Sequence, residues 1–134
     1  MPNLLITGAN RGIGLEFAKQ YVEAGWRVFA CCRNPDKSEV LKQLASQHAG
    51  WLSMHVLDVT NFEQIDSLAA ELASQEIDLL LNNAGICLDA HNNNNGFGAT
   101  DYAAWIQTFR VNSMAPLKMA ETFVRQITRS QQKK

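Results

Sequence analysis

With 134 residues, 46% of them hydrophobic, the chain has the size and apolar content of one domain around a buried core. Twelve basic residues against thirteen acidic ones leave a net charge of −1, without the basic footprint that nucleic-acid binding draws on. No stretch approaches the ~20 apolar residues of a membrane span, and the amino terminus carries no basic-then-apolar leader; a cytoplasmic protein with neither nucleic acid nor membrane as partner is expected.

In chain order, the apolar run 3–7 reads as a strand that stops at a glycine cluster. Ile13, Leu15, Phe17, Ala18, Tyr21 and Val22 then recur at helical spacing, which predicts a helix over 12–24 closed by Gly25. Residues 26–32 form a second buried-type strand, and Asn34-Pro35-Asp36 breaks it. Val40, Leu41, Leu44 and Ala45 are in phase for a second helix, followed by a strand over 51–57. Thr60 or Asn61 can cap a third helix carrying Ile65, Leu68, Ala69 and Leu72, and 77–81 is a fourth strand that ends in Asn82-Asn83-Ala84-Gly85.

Strands alternating with helices of this length predict right-handed βαβ units, hence a doubly wound parallel sheet of the Rossmann class occupying 1–134. The segment 88–100, with its Asn92–Asn95 run, has no periodicity and reads as an exposed loop. A long helix over 101–127 follows, carrying Trp105, Ile106, Phe109, Val111, Met114, Leu117, Phe123 and Val124, with Pro116 bending but not ending it. The sheet stops after about four strands. Cys31, Cys32 and Cys87 show no metal or redox spacing and are expected to be buried, reduced thiols.

The turn Thr7-Gly8-Ala9-Asn10-Arg11-Gly12-Ile13-Gly14 joins the first strand to the first helix. A diphosphate is stabilised by the free amides and positive dipole end of a helix, provided no side chain holds it away. Gly8 suits a positive-φ turn, Gly12 lets the backbone approach the phosphate, and Gly14 lets the helix pack closely. A glycine triplet alone is weak evidence; its place inside a βαβ unit of the right length makes nucleotide binding the expectation. Where an NAD site would place an acid at the end of the second strand, this chain has Arg33, and Arg11 sits in the turn. Two guanidinium groups converging on a 2′-phosphate favour NADP over NAD; the plainer alternative is a pair of solvated surface charges.

These motifs, with Asp58-Val59, Asn82-Asn83-Ala84-Gly85 and Val111-Asn112-Ser113 falling in order, resemble the short-chain dehydrogenase/reductase family over the whole chain, and within it the NADPH-dependent carbonyl reductases related to C-factor. The resemblance implies a cofactor-contacting set of Gly8, Asn10, Arg11, Gly12, Ile13, Gly14, Arg33, Asp58, Val59, Asn83, Ala84 and Gly85. It implies that Asp58 and the Val59 amide meet the adenine, that Asn83-Ala84-Gly85 leaves room for ribose and nicotinamide, and that Asn112 is the catalytic asparagine of a proton relay. The plainer alternatives are a helix cap for Asp58, an ordinary turn for the Asn83 motif and a surface position for Asn112. No metal is implied, and the partner of the complete enzyme would be a carbonyl or alcohol. The family also packs dimers through the helix corresponding to 101–127.

Carbonyl reduction needs an acid for the developing alkoxide, and the family uses a tyrosine with a lysine four residues later, beside a serine on the following strand. Here Tyr21 is followed at that distance by Gly25, and Tyr102 by Ile106; Ser113 lies in the helix and is not that serine. Two readings result: the amino-terminal, cofactor-holding part of a longer reductase, or a catalytically silent NADP-binding or interaction module.

Overall fold

Four parallel strands in the order β3-β2-β1-β4 form the centre of the computed structural model, which describes residues 1–88 and 97–132. They are β1 (Asn3–Thr7), β2 (Arg27–Cys32), β3 (Leu52–Val56) and β4 (Leu79–Leu81), in a register that aligns Leu5 with Phe29 and Leu80, and Phe29 with Ser53. The chain runs outward from β1 to β3, then returns to the other side of β1 for β4. This reversal makes the β1–β4 boundary a topological switch point, where the carboxyl ends of the strands leave a crevice.

Helices cover both faces. On one face α1 (Gly12–Glu23) and α2 (Glu39–Gln47) bury Ala18, Val22, Leu41 and Leu44 against Leu4, Ile6, Val28 and Ala30. On the other, α3 (Phe62–Glu71) and α5 (Ala115–Arg129) bury Ile65, Leu68, Met119 and Phe123 against Leu5 and Phe29. Alternating residues of β1 therefore feed two cores, which is why the whole strand is apolar and buried. Gly25, at φ 82°, ends α1 as its position predicts, with the Trp26 amide returning to the Tyr21 carbonyl.

Several expectations are revised. β4 pairs over only three residues, because Asp78 closes the base of the sheet: its carboxylate accepts from the Asn3 amide at 2.7 Å and from Ser130. Val40 of α2 and Val56 of β3 are exposed, the latter because β3 is an edge strand. Cys31 and Cys32 are buried as expected, but Cys87 is exposed. The long helix is interrupted: α4 (Tyr102–Phe109) passes into a π-helical segment, Arg110–Met114, before α5, and Pro116 sits in the first turn of α5, directly after that segment. Asp101 caps α4 by accepting from the Ala104 amide at 3.0 Å. The Asn92–Asn95 run lies outside the described residues. No helix among the described residues is long and apolar enough to cross a membrane.

Candidate functional site

β1 reaches its carboxyl end at Thr7, a buried residue whose hydroxyl accepts the amides of Asn83 (3.1 Å) and Ala84 (3.0 Å). The Asn83 side-chain amide answers by donating to the carbonyls of Thr7 and Gly8, each at 3.1 Å. Four hydrogen bonds thus weld the glycine turn to the end of β4, and the amide of Ala9 ties it to the Cys31 carbonyl of β2 at 3.0 Å. Gly8 adopts φ 65°. At Gly14 a Cβ would overlap the Gly8 carbonyl and the Asn83 amide, so α1 seats against the turn itself, and glycine is required there by space rather than by φ. Gly12 combines φ 55° with open space where its Cβ would stand. That is the arrangement a backbone needs to meet a phosphate without a side chain intervening.

The amino terminus of α1 has neither a side-chain cap nor an acidic residue in its first turn. Its free amides therefore point outward with the positive end of the helix dipole. Beyond β3, Asp58 is fixed from two directions. Its Oδ1 accepts from the amide and hydroxyl of Thr60 at 2.9 and 2.7 Å, and its own amide donates to Gln64 of α3 at 2.8 Å. Asn61, not Asp58, caps α3, through the Gln64 amide at 3.1 Å.

After Gly85 the chain meets the π segment. Asn112 accepts from the Ile86 amide at 2.9 Å and donates to the Ile86 carbonyl at 2.8 Å, the reciprocal pair that a β-ladder makes between backbones. A Cβ on Gly85 would stand 3.5 Å from Asn112 Oδ1, an ordinary van der Waals contact, so Gly85 packs beside this side chain without being required by it. The π segment lies where the helix passes the end of β4.

A crevice of about 700 Å³ opens at the switch point. Gly8, Asn10, Arg11, Gly12, Ile13, Gly14, Arg33, Asp58, Val59, Asn83, Ala84 and Gly85 all line it, together with Cys32, Leu57, Ile86, Gln107 and Val111. Asn112 adjoins it through Ile86. Arg11 and Arg33 reach its rim exposed, and neither has an ion-pair partner among the described residues. A smaller hollow of about 350 Å³ shares Asn10 and Arg33 with the crevice and adds Lys37 and Ser38. Burial raises the thiols of Cys31 and Cys32 above the usual cysteine range, so Cys32 meets the crevice as a protonated, inert wall. No group of three or more His, Cys, Asp or Glu side chains could hold a metal among the described residues.

A family model described as short chain dehydrogenase matches residues 2–134. The chain belongs to the short-chain dehydrogenase family. Among the family's solved structures, a carbonyl reductase from Pseudomonas aeruginosa PAO1 superposes with a TM-score of 0.84 at 31% identity, over 94% of this chain and 56% of that one. The NADPH-bound carbonyl reductase from chicken fatty liver gives 0.82 at 31% identity, over 98% and 54%. The (+)-neomenthol dehydrogenase of Arabidopsis thaliana is 32% identical over 139 aligned positions, 90% of this chain and 47% of that protein. The chain thus spans about half the length of these relatives.

Thr7, Gln64, Lys37 and Ser38 are not apparent as site residues in the sequence. Each acts through a partner or a hollow formed by another element, and no local spacing encodes that.

Proposed function

We propose that this chain is the NADP-holding part of a short-chain oxidoreductase that moves hydride between NADPH and a carbonyl or alcohol. The observation that carries the reading is one crevice at the switch point, lined together by the glycine turn, Asp58-Val59 and Asn83-Ala84-Gly85, with the guanidinium groups of Arg11 and Arg33 at its rim. Carbonyl reductases of similar fold that hold NADPH or NADP support it. When bound, the nicotinamide supplies the hydride.

The chain's own residues divide the remaining work. The uncapped α1 terminus and the open backbone at Gly12 receive the diphosphate. Arg11 and Arg33, with Lys37 beside them, favour a ribose carrying a 2′-phosphate over one carrying a hydroxyl. Asp58 orients the adenine end with the carboxylate oxygen that Thr60 leaves free. Gly85 and Ile86 border the nicotinamide end, where the Asn112 clamp fixes the backbone and the π segment offers displaced carbonyls to a proton-relaying water.

Fluorescence titration of Arg33→Asp tests cofactor choice. The variant is expected to weaken NADPH by roughly tenfold or more, as loss of a charge-assisted pair does, while NADH changes far less. Equal loss for both cofactors would contradict the 2′-phosphate assignment.

A further inference from the structure

The cations that would meet a 2′-phosphate stand on two separate turns. Arg11 belongs to the glycine turn after β1, while Arg33 and Lys37 belong to the turn after β2, which includes a 3-10 helix over Pro35–Lys37. The three charges have no carboxylate partners among the described residues, and like charges repel, so their spacing depends on what ties the two turns together. One side chain crosses the gap: the Ser38 hydroxyl donates to the Asn10 carbonyl at 3.1 Å.

Ser38 also stands immediately before α2, the position where a serine ordinarily spends its hydroxyl on the first free amides of the helix. It makes no such cap. The hydroxyl goes instead to a backbone carbonyl 28 residues earlier in the chain. Asn10, the residue it holds, is shared with Arg33 between the large crevice and the smaller hollow that contains Lys37. The bond therefore joins the two turns at the boundary between the two cavities. Glu39, the acid nearest this hollow, is paired with Lys42 at 2.7 Å.

We infer that Ser38 is a positioning residue for cofactor selectivity: its hydroxyl staples the Arg33–Lys37 turn to the glycine turn and so fixes the spacing of the cations that bind a 2′-phosphate. The inference rests on the NADP reading given above. NADPH senses the staple because its 2′-phosphate engages charges from both turns. NADH carries a hydroxyl there and does not. Because Ser38 caps nothing, removing its hydroxyl does not melt α2.

Calorimetric titration of NADPH and NADH into the 134-residue chain and its Ser38→Ala and Ser38→Thr variants tests this. Ser38→Ala is expected to weaken NADPH about three- to tenfold, the scale of one hydrogen bond, and NADH by less than about twofold. Ser38→Thr, which keeps the hydroxyl, is expected to restore NADPH binding. An unchanged NADPH affinity in Ser38→Ala, or equal weakening of both cofactors, overturns the staple alone. A wild-type chain that does not prefer NADPH overturns the NADP reading, and the staple with it.

Discussion

Thr7 accepts the Asn83 and Ala84 amides with one buried hydroxyl, so Thr7→Val, nearly identical in shape, would leave two donors without their partner. The expected loss is about 1–3 kcal/mol of unfolding free energy, read as a lower urea midpoint at unchanged slope. A cost below about 0.5 kcal/mol would show that other groups or water satisfy those amides. In the sequence Thr7 reads as the end of a strand and the opening of the glycine turn, with no sign of its hydrogen-bonding role. Its partners lie 76 and 77 positions away. The glycines of the same turn are legible because their requirement is local: positive φ at Gly8 and Gly12 is a property of the residue and its neighbours. Gly14 is legible for a less complete reason, since the atoms that forbid a Cβ include the Asn83 side chain from the turn after β4.

Elements meet through residues of a second kind. His55 on β3 hydrogen-bonds Ser53 through Nε2 at 2.9 Å and faces Glu71, the last residue of α3, through Nδ1 at 3.2 Å, with its ring beside Phe29. Burial lowers its pKa below the usual histidine value and prevails over the opposing pull of Glu71. The unfolded chain therefore takes up this proton at a higher pH than the folded chain. Between the two values the unfolded state binds more protons, and stability falls as pH drops below about 6.5. Denaturation between pH 7.5 and 5.5 should show that decline, with His55→Gln removing part of it. An identical pH dependence in the variant would mean that His55 does not titrate differently on folding.

The strands and helices themselves are legible because alternating βαβ periods are strong, and Asn61 and Gly25 mark ends by local chemistry. The break at Arg110–Met114 is not legible from hydrophobic period, and only the family resemblance points to a distorted backbone at Asn112. A π turn adds one residue without changing which side chains are apolar, and the hydrogen-bond partner of Asn112 within it, Ile86, lies 26 residues upstream. Pro116 marks the nearby restart of α-helix, which from sequence alone reads as a bend.

At the scale of the molecule, two cores account for the doubly wound sheet, yet α4 buries none of its residues. Tyr102, Trp105, Ile106 and Phe109 are 66%, 58%, 60% and 55% exposed, and Leu117 and Val124 extend the apolar surface along α5. Their hydrophobic period marks an apolar face in the sequence, and the family resemblance assigns that helix to dimer packing, but period alone does not report what covers the face. Apolar surface of this extent drives association. Sedimentation of the chain is therefore expected to depend on concentration, and Trp105→Glu with Ile106→Lys should reduce that dependence while leaving the circular dichroism spectrum unchanged. A wild-type chain that remains monomeric over a wide concentration range would contradict this.

Whether the β1–β4 crevice holds the dinucleotide is decided by an amide NMR titration with NADPH. The resonances of Gly12, Ile13, Gly14, Arg33, Val59, Ala84 and Gly85 are expected to move together and saturably. A folded chain in which those amides stay still, or in which the moving amides cluster instead on the outer faces of α3 and α5, would contradict it.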